Sequence, residues 1–208
     1  MVESSQGKPV VVTDIGQTLA DGGYHYFRAH RGEYDFKNPA SLAVVYNDFA
    51  PLPHAREGLK SLIDTHIFGG YYTVRPPELQ QQATDWLQIH GFPDATKIRV
   101  SKTPYEKLEQ VTNDFLAPNQ ENIPPAILLI DDNLEQLTKA AALLVDERPE
   151  VRDATKRIII VGFGGKNDPQ QGELYLLTGL RTATLTSWED QNVSALLNDL
   201  NTLYASNQ

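Results

Sequence analysis

Five short, nearly all-apolar runs, each followed by an amphipathic stretch, constrain this chain most. They are Val10–Thr13, Ile67–Val74, Ile98–Ser101, Ala126–Ile130 and Arg157–Gly162, with Thr182–Thr186 as a sixth candidate. Ile67–Val74 is interrupted by Gly69 and Gly70. Short apolar runs without polar alternation suit strands covered on both faces, which argues for a parallel sheet between two helical layers. The expected fold class is α/β: a three-layer, Rossmann-like parallel sheet.

The intervening segments carry helical periodicity. His54–Asp64 places Leu59, Leu62 and Ile63 on one side, and Pro77–His90 places Trp86 and Leu87. Pro77 suits a helix start and Gly91 a helix stop. Pro104–Phe115, Asn133–Val145 and Ser187–Tyr204 complete the set. In the last, Ser187 reads as an N-cap with Asp190 three residues on, ahead of a stripe of Val193, Leu196, Leu197 and Leu200. Two segments break the pattern: an aromatic, mixed stretch from Ala20 to Pro53, and a Gly-, Asn- and Gln-rich loop from Phe163 to Glu173. With 208 residues, the expectation is a single α/β domain with a small insertion at about 20–53.

Cysteine is absent, which excludes disulfides, thiol nucleophiles and cysteine-ligated metals. The first residues have no apolar signal core, and no apolar run approaches the ~20 residues of a membrane span, so a cytoplasmic protein without membrane contact is expected. The formal charge is −9 at pH 7. That disfavours general nucleic-acid binding, while a small phosphorylated ligand remains compatible with local positive charge.

Chemistry-bearing residues follow the apolar runs, where open α/β sheets bind ligands. Asp14 stands directly after the first run, in Asp14-Ile15-Gly16-Gln17-Thr18-Leu19. An Asp-Gly turn would look the same. Thr73 closes the second run, before Arg75 and two prolines. It offers a hydroxyl, and the backbone N–H groups after it suit a phosphate oxygen, although an N-cap threonine is common. Lys102 follows the third run and Lys107 lies on the next helix; either can neutralise carboxylates or simply be solvated. Asp131 and Asp132 follow the fourth run. One of the two can cap the next helix, but adjacent acids facing Asp14 call for a cation, and Mg²⁺ accepts two or three carboxylates.

In this order, these motifs resemble the haloacid dehalogenase superfamily. Asp14 matches its nucleophilic aspartate, Thr73 in "TVRPPELQQQATDWLQIHGFP" its second motif, Lys102 in "SKTPYEKL" its lysine with Lys107 as the alternative, and "ILLIDDNLEQL" its acidic motif. The likeness spans most of Val10–Leu203. It implies Mg²⁺ bound by Asp14, the Gly16 carbonyl and Asp131 or Asp132. It also implies a phosphorylated substrate, small or macromolecular, met by Thr18, Thr73, Arg75 and Lys107. One position departs: family phosphatases usually carry a second Asp, the general acid and base, where this chain has Gly16. Glycine keeps the metal-binding carbonyl and loses the proton donor. His25, Asp21 and His54 are substitutes by proximity in sequence.

Two functions follow. The first is a Mg²⁺-dependent phosphohydrolase acting through an aspartyl-phosphate, favoured because Asp14, Thr73, a lysine and the acid pair all remain. The second is a catalytically impaired relative that binds a ligand or partner protein, favoured by Gly16 alone.

Overall fold

A computed structural model describes residues 7–21, 38–117, 122–164 and 181–205. His25, most of the aromatic insertion (22–37) and the loop from 165 to 180 lie outside the described residues.

Six strands form one all-parallel sheet: β1 (Val10–Thr13), β2 (Ile67–Val74), β3 (Ile98–Ser101), β4 (Ile127–Asp131), β5 (Ile158–Phe163) and β6 (Arg181–Leu185). Their order is β3-β2-β1-β4-β5-β6. The first three match the sequence reading; β4 and β5 are displaced by one residue toward the C-terminus and β6 by one toward the N-terminus. The two glycines of β2 have a physical reason. The β1–β2 register slips between Val11 and Val12, and Gly70 takes φ +121 at the slip. A β-carbon there would meet the Lys97 carbonyl at 2.4 Å, so only glycine serves.

Seven α-helices are present among the described residues. They are α1 (Pro39–Asn47), α2 (Ala55–Thr65), α3 (Gln80–Ile89), α4 (Pro104–Leu116), α5 (Leu134–Glu147), α6 (Arg152–Thr155) and α7 (Asp190–Ala205). Side chains alternate across the sheet. Val11, Tyr71, Leu128, Ile130, Ile159 and Val161 meet Leu59 and Leu62 of α2, Trp86 and Leu87 of α3, and Val193, Leu196 and Leu200 of α7. Val10, Val12, Tyr72, Ile127, Leu129 and Ile160 meet Leu108 and Val111 of α4 and Leu137, Ala141 and Leu144 of α5. The result is the expected three-layer, Rossmann-like α/β architecture. No helix among the described residues is long and apolar enough to cross a membrane.

Three expectations need correction. α1 forms inside the aromatic segment: Asn38 accepts a hydrogen bond from the Ala40 N–H (2.9 Å) and Pro39 opens the first turn. Pro77–Leu79 is a 3₁₀ turn ahead of α3 rather than its first α turn. The last helix begins at Asp190, so Ser187 does not cap it at the N-cap position; its hydroxyl instead accepts from the Asn192 side chain (2.8 Å).

Candidate active site

The strand order reverses direction between β1 and β4, and there the helices leave opposite faces and open a crevice. Thr13 pairs with Ile130 in register, and the Asp14 N–H donates to the Ile130 carbonyl (2.8 Å). The backbone therefore sets Asp14 beside Asp131 at the carboxyl ends of adjacent strands. The turn after Asp14 is tight: the N–H groups of Leu19 and Ala20 both donate to the Ile15 carbonyl (2.9 Å each). Gln17, next to Gly16, takes the left-handed conformation at φ 55. The Trp188 indole locks the turn from below by donating to the Thr18 carbonyl (2.6 Å).

A cavity of about 270 Å³ opens here, lined by Asp14, Gly16, Gln17, Thr73, Arg75, Lys107, Asp131 and Asp132, with Tyr46 and Phe49 from the insertion. At its floor the Lys107 ammonium donates to Asp14 Oδ1 (3.0 Å) and to Asp131 Oδ2. All three are buried: Lys107 is 1% exposed, Asp14 7% and Asp131 4%. Burial alone would lower the Lys107 pKa, but Asp131 and Asp14 outweigh it and raise it, so the ammonium is held. Asp131 is raised, by burial first, with Lys107 pulling down against a push from Asp14. Burial, then Asp14 and Asp131, raise Asp132 to about 7. One ammonium cannot neutralise this many carboxylates.

The lysine question of the sequence is thus answered in geometry. Lys107 enters the carboxylate pair, whereas Lys102 is exposed and does not line the cavity. The cap of α4 explains why. The Glu106 N–H donates to the Thr103 hydroxyl (3.1 Å), and the Glu106 carboxylate accepts from the Lys102 N–H (2.7 Å). This reciprocal cap starts the helix at Pro104 and aims the residue one turn on, Lys107, inward. Replacing Thr103 by alanine should cost about 1 kcal/mol of stability, read as a shifted urea midpoint. An unchanged midpoint would mean that the cap does not hold this turn.

Several other expectations change. Thr18 is buried but does not line the cavity. Of the residues directly after Thr73, only Val74 lines the cavity with an N–H not spent elsewhere in the chain's loops or missing in a proline. The Arg75 N–H is spent on the Ser101 carbonyl (3.0 Å), and Pro76 and Pro77 have no N–H. The positive charge comes instead from the Arg75 side chain, itself only 7% exposed. Its guanidinium lies over the Tyr46 ring (4.7 Å to the centroid), and its Nη1 donates to Gln82 Oε1 (3.3 Å). Gln82 in turn donates to Asn47 Oδ1 (2.8 Å), tying this arginine to the insertion. Its Nε has no hydrogen-bond partner among the described residues. The N-cap of α5 is Asn133, not an aspartate: it accepts from the Gln136 N–H (3.3 Å) and donates its own N–H to Asp131 Oδ1 (2.7 Å). Of the proposed proton donors, Asp21 and His54 are exposed and do not line the cavity.

Among the described residues no three His, Cys, Asp or Glu side chains converge as a metal cluster. The donor set nonetheless fits a hard cation. It offers oxygen ligands from Asp14, Asp131 or Asp132 and the Gly16 carbonyl, and it carries negative charge beyond what Lys107 offsets. Mg²⁺ is content with one or two carboxylates and completes its shell with water.

The parallel sheet, its strand order and the acid pair at the β1–β4 crevice define a fold of the haloacid dehalogenase type. No family model matches the chain, and no curated protein matches it in sequence. A crystal structure of a HAD hydrolase of family IA, variant 3, from Entamoeba histolytica HM-1:IMSS does share this fold. The TM-score is 0.50 at 11% identity, with 91% of this chain and 99% of that chain covered. The chain thus has the haloacid dehalogenase fold that its motifs resemble.

Proposed function

We propose that the chain is a Mg²⁺-dependent phosphohydrolase that works through an aspartyl-phosphate on Asp14. The observation that carries this reading is the buried Asp14–Lys107–Asp131 cluster at the floor of the β1–β4 crevice. A buried ammonium shared by two carboxylates is expensive to assemble and contributes little net stability. Its placement at a ligand crevice favours a role in chemistry.

Asp14 is the nucleophile, and the hydrogen bond from Lys107 orients its carboxylate. Thr73 and the Arg75 guanidinium steady the oxygens of the phosphoryl group. Asp14, the Gly16 carbonyl and Asp131 or Asp132 would hold Mg²⁺, which when bound offsets the charge on those oxygens. The substrate is a phosphorylated compound, small or macromolecular; the acidic chain argues against general nucleic-acid binding.

The test uses p-nitrophenyl phosphate with Mg²⁺ on wild type and Asp14→Asn. Acid quenching during turnover should leave a phosphoryl group on wild type alone, seen by intact-protein mass. Hydrolysis that survives Asp14→Asn sinks the reading. Separately, millimolar Mg²⁺ should raise the melting temperature of wild type and not of Asp131→Ala, since a ligand at a hundredfold excess over its Kd stabilises by about 2.7 kcal/mol. Wild type that melts unchanged would mark the metal site as vestigial.

The second reading, a catalytically impaired protein that binds a phosphorylated ligand or a partner, is favoured by one observation: residue 16 supplies no carboxylic acid. It predicts Mg²⁺ and phosphate binding with no phosphoenzyme.

A further inference from the structure

A leaving alkoxide needs a proton, and position 16 has none to give. Among the described cavity side chains that could exchange a proton, Lys107 is locked between two carboxylates, and Asp14, Asp131 and Asp132 are the acids that would hold Mg²⁺. Tyr46 remains. We propose that Tyr46 is a further catalytic residue of the phosphohydrolase described above, giving the leaving group its proton and later taking one from water.

The placement is built in. α1 is capped by Asn38 and anchored by Val45 and Phe49, both buried in the core. Phe49 meets the Tyr46 ring edge-on (5.5 Å, 82°), and Arg75 covers its face. Ring and guanidinium are thus fixed together at the cavity wall. Burial raises the phenol pKa above its usual value, with Arg75 pulling down and Asp14 pushing up, so the group is protonated at neutral pH. The guanidinium stands ready to steady a phenolate.

The steps balance. An Asp14 oxygen attacks phosphorus, the bond from phosphorus to the ester oxygen breaks, and that oxygen keeps the electron pair and takes the Tyr46 proton, leaving as an alcohol. Water then attacks phosphorus and loses a proton to the Tyr46 phenolate. The bond from phosphorus to Asp14 breaks with its electron pair returning to the carboxylate, and inorganic phosphate departs.

The inference rests on the phosphohydrolase reading, and the experiment separates the two. Wild type, Tyr46→Phe and Asp14→Asn are assayed with Mg²⁺ on p-nitrophenyl phosphate, phenyl phosphate and glycerol 2-phosphate. Phenylalanine keeps the ring that packs on Phe49 and Arg75, and thermal melting checks folding. Tyr46→Phe should lower turnover of glycerol 2-phosphate by about 10²-fold, as expected for a lost general acid. Phenyl phosphate should suffer less, and p-nitrophenyl phosphate, whose leaving group needs no proton, should be nearly unaffected. An equal loss on all three esters assigns Tyr46 a structural role and overturns the proposal, as does no loss on any. Activity that survives Asp14→Asn, or its complete absence in wild type, removes the phosphohydrolase reading and the proposal with it.

Discussion

Replacing Lys107 with methionine is expected to lower the stability of the protein by about 3–5 kcal/mol, the usual cost of removing one partner from a buried ion pair. Methionine matches the aliphatic stem, so packing around it is little changed and the loss is electrostatic. Asp14 and Asp131 would then face each other with no ammonium between them. Urea unfolding reads the loss directly, as a lower midpoint at an unchanged slope. The pH dependence follows in sign. Lys107 is raised in the folded state, so its contribution is complete below the lysine pKa of the unfolded chain and fades only as pH climbs through the higher folded value. The gap between wild type and variant should therefore hold across neutral pH. It should narrow in acid, because Asp131 is already raised and its protonation removes one of the opposing charges. Mg²⁺ should narrow it as well, by supplying the missing positive charge. Hydrolysis should be lost, since the ammonium that orients Asp14 against Asp131 is gone. A variant as stable as wild type at neutral pH would contradict the buried cluster itself.

What the sequence disclosed depended on how local the cause was. The strands are legible because β-branched runs such as Ile158–Val161 can only be buried on both faces, and their ends carry Asp14, Thr73 and Asp131 without any long-range information. α1 was hidden because its faces mix: Leu42 and Val45 are buried while Val44 between them is exposed, so no clean stripe forms. Lys102 and Lys107 could not be separated by spacing. The choice is made by the Thr103–Glu106 cap, which fixes where α4 begins. That the backbone donors after Thr73 are few was legible in principle, because Pro76 and Pro77 have no N–H to offer an anion. The role of Arg75 in their place is a matter of packing, since Tyr46 and Gln82 hold its guanidinium from elements far apart in the chain. Tyr46 itself stands 32 residues after Asp14 by position in the sequence, and only the folding of the insertion over the sheet brings it to the cavity.

Restoring the carboxylic acid at position 16 is expected to raise turnover of esters with poor leaving groups by up to about 10²-fold, the lower end of what a general acid contributes. The backbone permits the change. The left-handed conformation of this turn falls on Gln17, not on Gly16, and a β-carbon at 16 would meet only Asp14 Oδ2, at an ordinary 3.7 Å. An aspartate there stands beside the Asp14 carboxylate, and a like charge so close raises its pKa, which keeps it protonated for donation. The Gly16 carbonyl is unaltered, so Mg²⁺ stabilisation should persist in Gly16→Asp. p-Nitrophenyl phosphate should gain little. The combination with Tyr46→Phe is the most discriminating measurement. If the phenol is the resident proton donor, Gly16→Asp should rescue glycerol 2-phosphate turnover in the Tyr46→Phe background by a larger factor than it improves wild type, because the two groups perform the same transfer. Equal factors in both backgrounds would mean independent roles. A folded Gly16→Asp protein that binds Mg²⁺ and still turns over no phosphate ester would leave the binding-protein reading in possession of the site.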